Sequence, residues 1–400
     1  MPDYLAIKPP DMDTGVLGAI DPPSADDLLR MHRSPYVLHA RDGKLARMPA
    51  EKSTLPGDPK SHPQAVRAFK HTDAAIYVRQ ATTLSKSTDR GRTWTSKPIP
   101  DVPRVFAARD DGSFIGVEGM NDEPLAKVYV SQDEAETWDQ IAQIPLPDEF
   151  PGGNVCDVVV LPDRSLLCDI HMENATYVGT EQTGSQEIYL GSGICKLLAY
   201  RSTDDGCTWS GGSLIVDFSG EGGITCLPSG GLLAVKRHQR GLLPGESVDR
   251  LESLGVNAVF ERIGVPPNRL YKNVVLSDSD DGGRTWRNQR LLTTVFGQCY
   301  GHPAALSAGT VVVVHDTRYG PGPQSSRAMI SHDEGQTWED EVYYLSHGKT
   351  ASGYTSSVVL KDDTIVTLSG TSDYTGGNEE SWGNWVGRSH VTAIRWKLAR

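Results

Sequence analysis

The chain carries short apolar runs broken by tight turns, and no sustained helical period. VVVLPDRSLLCDI (158–170), TCLPSGGLLAV (225–235) and AALSAGTVVVV (304–314) each read as two strands joined by a two- to four-residue turn. After each such pair comes one recurring turn: STDRGRTW at Ser87 to Trp94, SQDEAETW at Ser131 to Trp138, STDDGCTW at Ser202 to Trp209, SDDGGRTW at Ser279 to Trp286 and SHDEGQTW at Ser331 to Trp338. All five follow S-x-D-x-G-x-T-W, with Ala135 in the glycine position of the second. The residue types suit a tight hairpin: an Asp that accepts from amides ahead of it, a Gly for a positive φ, and a Trp whose ring packs inward. Calcium loops would need spaced carboxylates and a closing Glu, which no copy has.

A last strand follows each turn, so each repeat predicts one four-stranded blade, and a fixed repeat of this kind closes into one ring. The tryptophans are 44, 71, 77 and 52 residues apart, which places insertions in the third and fourth blades, at 171–196 and 240–272. After the last turn, GYTSSVVLKDDTIVTLSG and VTAIRWKLA supply a sixth blade with three strands and no turn motif. Its missing strand is expected from the N-terminal region, within 28–50, with SPYVLHA (34–40) as the candidate. The expected fold is therefore all-β: a six-bladed β-propeller in one domain over 1–400, with blades near 62–100, 104–148, 152–216, 221–295, 301–346 and 353–400, and an N-terminal strand closing the last.

Composition refines the picture in three places. A formal net charge of −12 over 400 residues makes nucleic acid and anionic membrane surfaces poor partners, and an anionic substrate would need a local basic pocket. The opening MPDYLAIKPPDMDTG lacks the basic and apolar regions of a signal peptide, so a cytoplasmic location is expected; a secreted or periplasmic one would require a signal removed from this sequence. The six cysteines form no CxxC pair and no zinc spacing, and are expected to be free; Cys156 and Cys168, on adjacent strands, are the one pair placed to bridge. No metal site and no cofactor are expected.

The five turns resemble the Asp-boxes (BNR repeats) of the sialidase, or neuraminidase, superfamily, over roughly residues 60 to 400. In such propellers the boxes lie on the rim, so the resemblance moves the search for a site to the axis, where innermost strands begin and second strands end. Innermost strands offer His62, Arg104, Asp157, Glu221, His302 and Tyr354; second-strand ends offer Arg79, Glu118, His171, Arg237, His315 with Arg318, and Ser369. Tyr354 stands where the family carries its tyrosine nucleophile, and Glu221 resembles the glutamate that takes the tyrosine's proton. Arg237 resembles the second arginine of the family's carboxylate clamp, with Arg318 favoured over Arg327 for the third. Arg79 and His171 join them as substrate-binding candidates. The sequence departs from the family pattern at three places: His62 in SHPQAV stands where the first arginine belongs, with Arg33 a distant substitute; Asp58 and Asp73 are the candidates for the acid/base; Ser369 and Gly370 replace the late glutamate.

What the resemblance implies is a glycoside hydrolase acting on a carboxylated sugar, an exo-glycosidase with a neutral phenol as nucleophile and arginines holding the substrate carboxylate. Two other readings stand beside it. His62 and His302, both before proline, could serve proton transfer in a polysaccharide lyase or an atypical glycosidase. A non-catalytic propeller binding a glycan or a protein is the third. Among these residues the catalytic set is Tyr354, Glu221, His62 and His302, and a carbohydrate is the expected partner.

Overall fold

A computed structural model of the chain describes residues 23–56, 67–120, 122–174, 180–183, 186–189, 194–240, 271–293, 298–317, 325–347, 350–373 and 388–399. It is a six-bladed β-propeller, with six antiparallel sheets whose innermost strands follow one another around an axis. These innermost strands are Arg67–Thr72, Val105–Ala108, Asn154–Val160, Ser219–Cys226, Gln298–Ala305 and Thr350–Val359, in blades 1 to 6. One helix is present among the described residues, Ala25–His32, capped by the Ser24 hydroxyl accepting from the Asp27 amide.

The last blade is closed by an N-terminal strand, but a different segment from the one its hydrophobicity suggested. Glu51–Thr54 pairs antiparallel with Arg388–Trp396 and supplies the fourth strand of blade 6. SPYVLHA instead forms most of Tyr36–Arg41, which pairs with Glu341–His347 at the outer edge of blade 5 and carries a hairpin partner, Lys44–Pro49. The physical reason is burial. Val37, Leu38 and Ala40 are apolar enough to need a cover, and they find it against Tyr343, Leu345 and the helix residues Leu28 and Met31. The outermost strand of a blade needs little apolar surface, so the charged segment EKST can take it. Glu51 then bridges Arg395 at 2.6 Å and Arg92 of the first repeated turn at 3.0 Å, tying ring closure to blade 1.

Between adjacent blades lie apolar seams, and a tryptophan enters each one. Trp94 packs in the seam of blades 6 and 1, Trp138 in that of 1 and 2, Trp209 in that of 2 and 3, Trp286 in that of 3 and 4, and Trp338 in that of 4 and 5. The sixth seam has no repeated turn and uses Trp396 from the final strand, whose indole donates to Thr367 Oγ1 at 3.0 Å and packs on Tyr343.

Each repeated turn is built as its residue types require. In the second, Asp133 accepts from the Thr137 amide at 2.9 Å and the Thr137 hydroxyl at 2.6 Å, while Ser131 Oγ accepts from the Ala135 amide at 2.9 Å. The glycine position has φ between +67° and +90° in all five copies, Ala135 included, so a left-handed residue is demanded there. The five described cysteines Cys156, Cys168, Cys195, Cys207 and Cys226 are free.

Hydrogen bonds from the Thr137 hydroxyl and amide, outweighing slight burial, hold the Asp133 carboxyl down to about 2. A depressed carboxyl stabilises the fold above its unfolded pKa of about 4, and that contribution is lost as pH falls through the folded value. Asp133→Ala is therefore expected to lower stability by about 1–3 kcal/mol at pH 7. The difference from the parent protein should shrink between about pH 4 and pH 2, as read in denaturant melts across that range.

Candidate functional site

The innermost strands of blades 3, 4, 5 and 6 share an irregularity near their start. Pairing with the second strand slips between Val155 and Asp157, between Ser219 and Gly222, between Cys299 and His302, and between Ala351 and Thr355. A bulge re-aims side chains and leaves backbone groups unpaired. Here the bulges fall at Cys156, Gly220 and Glu221, Tyr300 and Gly301, and the residues up to Tyr354, all around one end of the axis. Tyr300 has φ +60°, a left-handed backbone in a bulky residue.

At the blade 4 bulge, Glu221 meets Arg237 of the second strand, Nη2 to Oε2 2.7 Å, with Arg237 largely covered and Glu221 nearly a third exposed. Two neighbours shape the pair. The Tyr300 ring of blade 5 lies under the guanidinium, with Cζ 5.5 Å from the ring centroid. His171 of blade 3 packs against Gly220, where an added methyl would lie 3.0 Å from Arg237 Nη2 and 3.5 Å from His171 Cγ. Burial first, and then the Arg237 charge, push the His171 imidazole down to about 4 against the pull of Glu221, so it is neutral at pH 7. An arginine paired with a partly exposed carboxylate is a charge-assisted partner suited to a ligand oxyanion.

Beneath this pair the axis is floored by charge. Lys236 and Asp169, both fully buried, form an ion pair between blades 4 and 3. Asp157 accepts from the Ile224 amide at 2.9 Å. Burial raises both Asp157 and Asp169 above the ordinary carboxylate range, with Lys236 and Arg67 countering. Arg67 opens the described innermost strand of blade 1 and donates across the axis to the Cys156 carbonyl at 3.1 Å. His302 is engaged by neighbours: its Nε2 lies 3.3 Å from Ser356 Oγ and its Nδ1 accepts from the Ser357 amide at 3.3 Å, while the Ser356 hydroxyl accepts from the Ala68 amide. Burial first, then Arg67 and Lys236, push that imidazole down to about 3.

The remaining candidates divide. Arg79 is buried on blade 1 and donates to the Asp101 carbonyl at 2.7 Å. Arg104 and Glu118 of blade 2 form an ion pair at 2.6 Å. Arg327 lies on the third strand of blade 5, its guanidinium 5.3 Å over the Tyr344 ring, one strand further from the axis than Arg237. His315, buried beside it, shares a hydrogen bond with the Asp316 carbonyl. Asp73 accepts from the Lys361 amide at 3.0 Å and pairs with Lys70 at 3.2 Å, linking blades 1 and 6. His62, Asp58 and Arg318 lie outside the described residues. Tyr354 is on the innermost strand of blade 6, where its side chain is likewise outside them. Ser369 donates or accepts within a buried hydroxyl cluster with Ser326 and Ser346, at 3.0 and 2.8 Å. Sequence reasoning missed Arg67 and Tyr300. The short strand-like run RAFKHT, opening on Arg67, was the available signal for the first.

These features define a β-propeller with a polar, charge-lined axis. No family model matches the chain, and no curated protein sequence does. Solved structures do match in fold. A protein of unknown function from Dyadobacter fermentans is 15% identical with a TM-score of 0.58, covering 87% of this chain and 98% of its own. A Hadza microbial sialidase is 13% identical, TM-score 0.55, covering 84% of this chain and 65% of its own. An α-L-arabinofuranosidase from Fusarium graminearum, in complex with an iminosugar inhibitor, is 14% identical, TM-score 0.55, covering 87% and 97%. The resemblance to sialidase-type propellers holds as a likeness of fold.

Removing one partner of the floor pair would strand a buried charge. Lys236→Met is expected to cost about 3–5 kcal/mol, and adding Asp169→Leu to recover much of that, in urea melts of the two variants. Equal loss in single and double variants would show that the pair is not held together by charge.

Proposed function

We propose that the protein is a glycoside hydrolase acting on a carboxylated sugar bound at the bulged end of the axis. The observation that carries this is the Glu221–Arg237 pair at 2.7 Å, set on adjacent strands of blade 4 between Tyr300 and His171. Arg237 is the group to receive the substrate carboxylate, since its guanidinium carries a fork of donors and is supported by the Tyr300 ring, 5.5 Å from its Cζ. Glu221, paired with Arg237 and partly open to solvent, is the carboxylate placed to accept a proton.

In this reading Tyr354 is the nucleophile: its oxygen attacks the anomeric carbon as its proton passes to Glu221, and the bond to the leaving oxygen breaks as that oxygen takes a proton from the acid, for which Asp58 and Asp73 are the candidates; water, deprotonated by the same carboxylate, then displaces the tyrosine oxygen, which recovers its proton from Glu221. A phenol near pKa 10 needs such a base. It also meets the anionic sugar without charge repulsion, which a carboxylate nucleophile would not. Arg318 completes the clamp in this scheme, with Arg79 and His171 as further contacts. Two of the structural neighbours are described as a sialidase and an arabinofuranosidase, which supports glycoside chemistry on this fold and leaves the acidic sugar to rest on Arg237. His302, with both ring nitrogens engaged and a strongly lowered pKa, is less suited to proton transfer than Glu221.

The test is release from aryl glycosides of ulosonic acids, uronic acids and neutral sugars, with absorbance followed for unsaturated uronate products. Turnover is expected on a carboxylated glycoside. Tyr354→Phe and Glu221→Gln should each lower kcat by about 10²–10⁴-fold, and Arg237→Gln should act mainly on KM. Full activity in Tyr354→Phe, or turnover confined to neutral sugars, sinks the proposal, and an unsaturated product moves the chemistry to elimination.

A further inference from the structure

Across the axis from Arg237, blades 1 and 2 bring together a second group of cations. Arg79 and Arg67 stand directly opposite each other on adjacent antiparallel strands. Like charges in that register repel, and their side chains share one face of the sheet. Arg79 is 1% exposed, and one guanidinium nitrogen donates to the Asp101 carbonyl. Its Nε and Nη1 are buried with no acceptor among the described residues. A buried guanidinium with two unmet N–H groups is costly unless an acceptor arrives. The carboxylates at hand do not supply one: Glu118 is committed to Arg104, accepting from its backbone amide and its Nε at 2.7 Å each. The Asp101 carboxylate stands 3.7 Å from Arg79 and is mostly in solvent. Burial lowers Arg79 to about 10; the nearby Asp101 and Glu118 carboxylates pull it back up, and the charges of Arg104 and Arg67 add to the fall, so all four lie close enough to act on it. Half of the Arg104 side chain remains open to solvent beside the covered group.

We infer that Arg79, Arg104 and Arg67 form an oxyanion-binding subsite, separate from the blade 4 pair, that takes a carboxylate or sulfate substituent. The incoming oxygens would accept from Arg79 and from the open edge of Arg104, offsetting the repulsion between Arg79 and Arg67. With Arg237 on the far side of the axis, the substrate then carries two anionic groups, one on the sugar being cleaved and one on a neighbouring unit. That assignment of the anion to an acidic oligosaccharide rests on the hydrolase reading above; the binding of an oxyanion does not.

The experiment is calorimetric titration of the full chain with sodium sulfate and with sodium acetate at constant ionic strength, which also tells sulfate from carboxylate as the preferred group. Saturable binding of one of them is expected. Arg104→Gln should weaken it at least tenfold, Glu118→Gln should tighten it by freeing Arg104, and Arg237→Gln should leave it within twofold. A purely structural Arg104–Glu118 pair would show no tightening in Glu118→Gln, and that result overturns the subsite. Absence of saturable binding to either anion, or equal binding in Arg104→Gln, also overturns it. Oxyanion binding without turnover on any glycoside would leave the subsite standing and remove the hydrolase reading, whereas turnover without oxyanion binding would do the reverse.

Discussion

Everything at the axis depends on the apolar seams between blades. A propeller blade is a strongly twisted sheet with two faces to bury, and each face can find cover only on the next blade. Five seams are filled mainly by β-branched and leucine side chains, the seam of blades 1 and 2 mainly by Tyr77, Phe106, Phe114 and Phe69, and each of the six is wedged by one tryptophan. Five of those tryptophans end a turn whose Asp and Ser are spent within the turn itself, on its amides, on its Thr hydroxyl and on each other, so the wedge is delivered at a defined angle. The sixth seam lacks the turn and still receives a tryptophan, Trp396, anchored by Thr367. The ring therefore needs the ring-filling indole more than the motif that usually carries it.

With the seams holding the blades, the innermost strands are free to be irregular. Four of the six bulge near their start, and the bulges carry Cys156, Glu221, Tyr300 and the approach to Tyr354. The floor beneath is polar and closed by groups that cross between blades: Lys236 to Asp169, Asp157 to the Ile224 amide, Arg67 to the Cys156 carbonyl. Each crossing satisfies a buried charge with a partner from another blade, so the same contacts that neutralise the axis also set the blades' mutual positions.

Much of this was legible in the sequence. Five copies of one turn, with the strands that follow the last of them, gave six blades, and the resemblance to Asp-box propellers directed attention to Glu221, Arg237, His171 and Arg79 on the strands where they lie. The closing strand was not legible, because EKST has no apolar pattern; a strand on the rim of a blade is held by backbone pairing and by Glu51, and hydrophobicity pointed to Tyr36–Arg41 instead. Arg67 was passed over because proline in SHPQAV drew the eye to His62 as the start of the strand. Tyr300 could not be found by type alone: nothing in GQCYGHPAAL distinguishes a tyrosine buried on its own blade from one turned toward Arg237. Only the bulge does that, and it arises from how blades 4 and 5 meet.

The backbone of Tyr300 bears on what the bulged end is for. A left-handed conformation costs a bulky residue on the order of 1–2 kcal/mol, and glycine, its next neighbour at 301, would relieve it one position along. Gly301 is reserved for close approach of blade 4: an added methyl there would lie 2.5 Å from Val235 and 2.9 Å from Val274. The strained backbone is that of the residue whose ring lies against Arg237. On the opposite side of the axis the unfavourable feature is electrostatic, two arginines facing each other over one covered guanidinium. Both departures from minimum energy stand at the same end of the ring, where strands begin and bulge, and the seams around them are regular. Local strain and like-charge contact persist in a fold only where its surroundings over-determine them, and an acidic chain that concentrates arginines at that end has assembled the surface an acidic sugar would meet first.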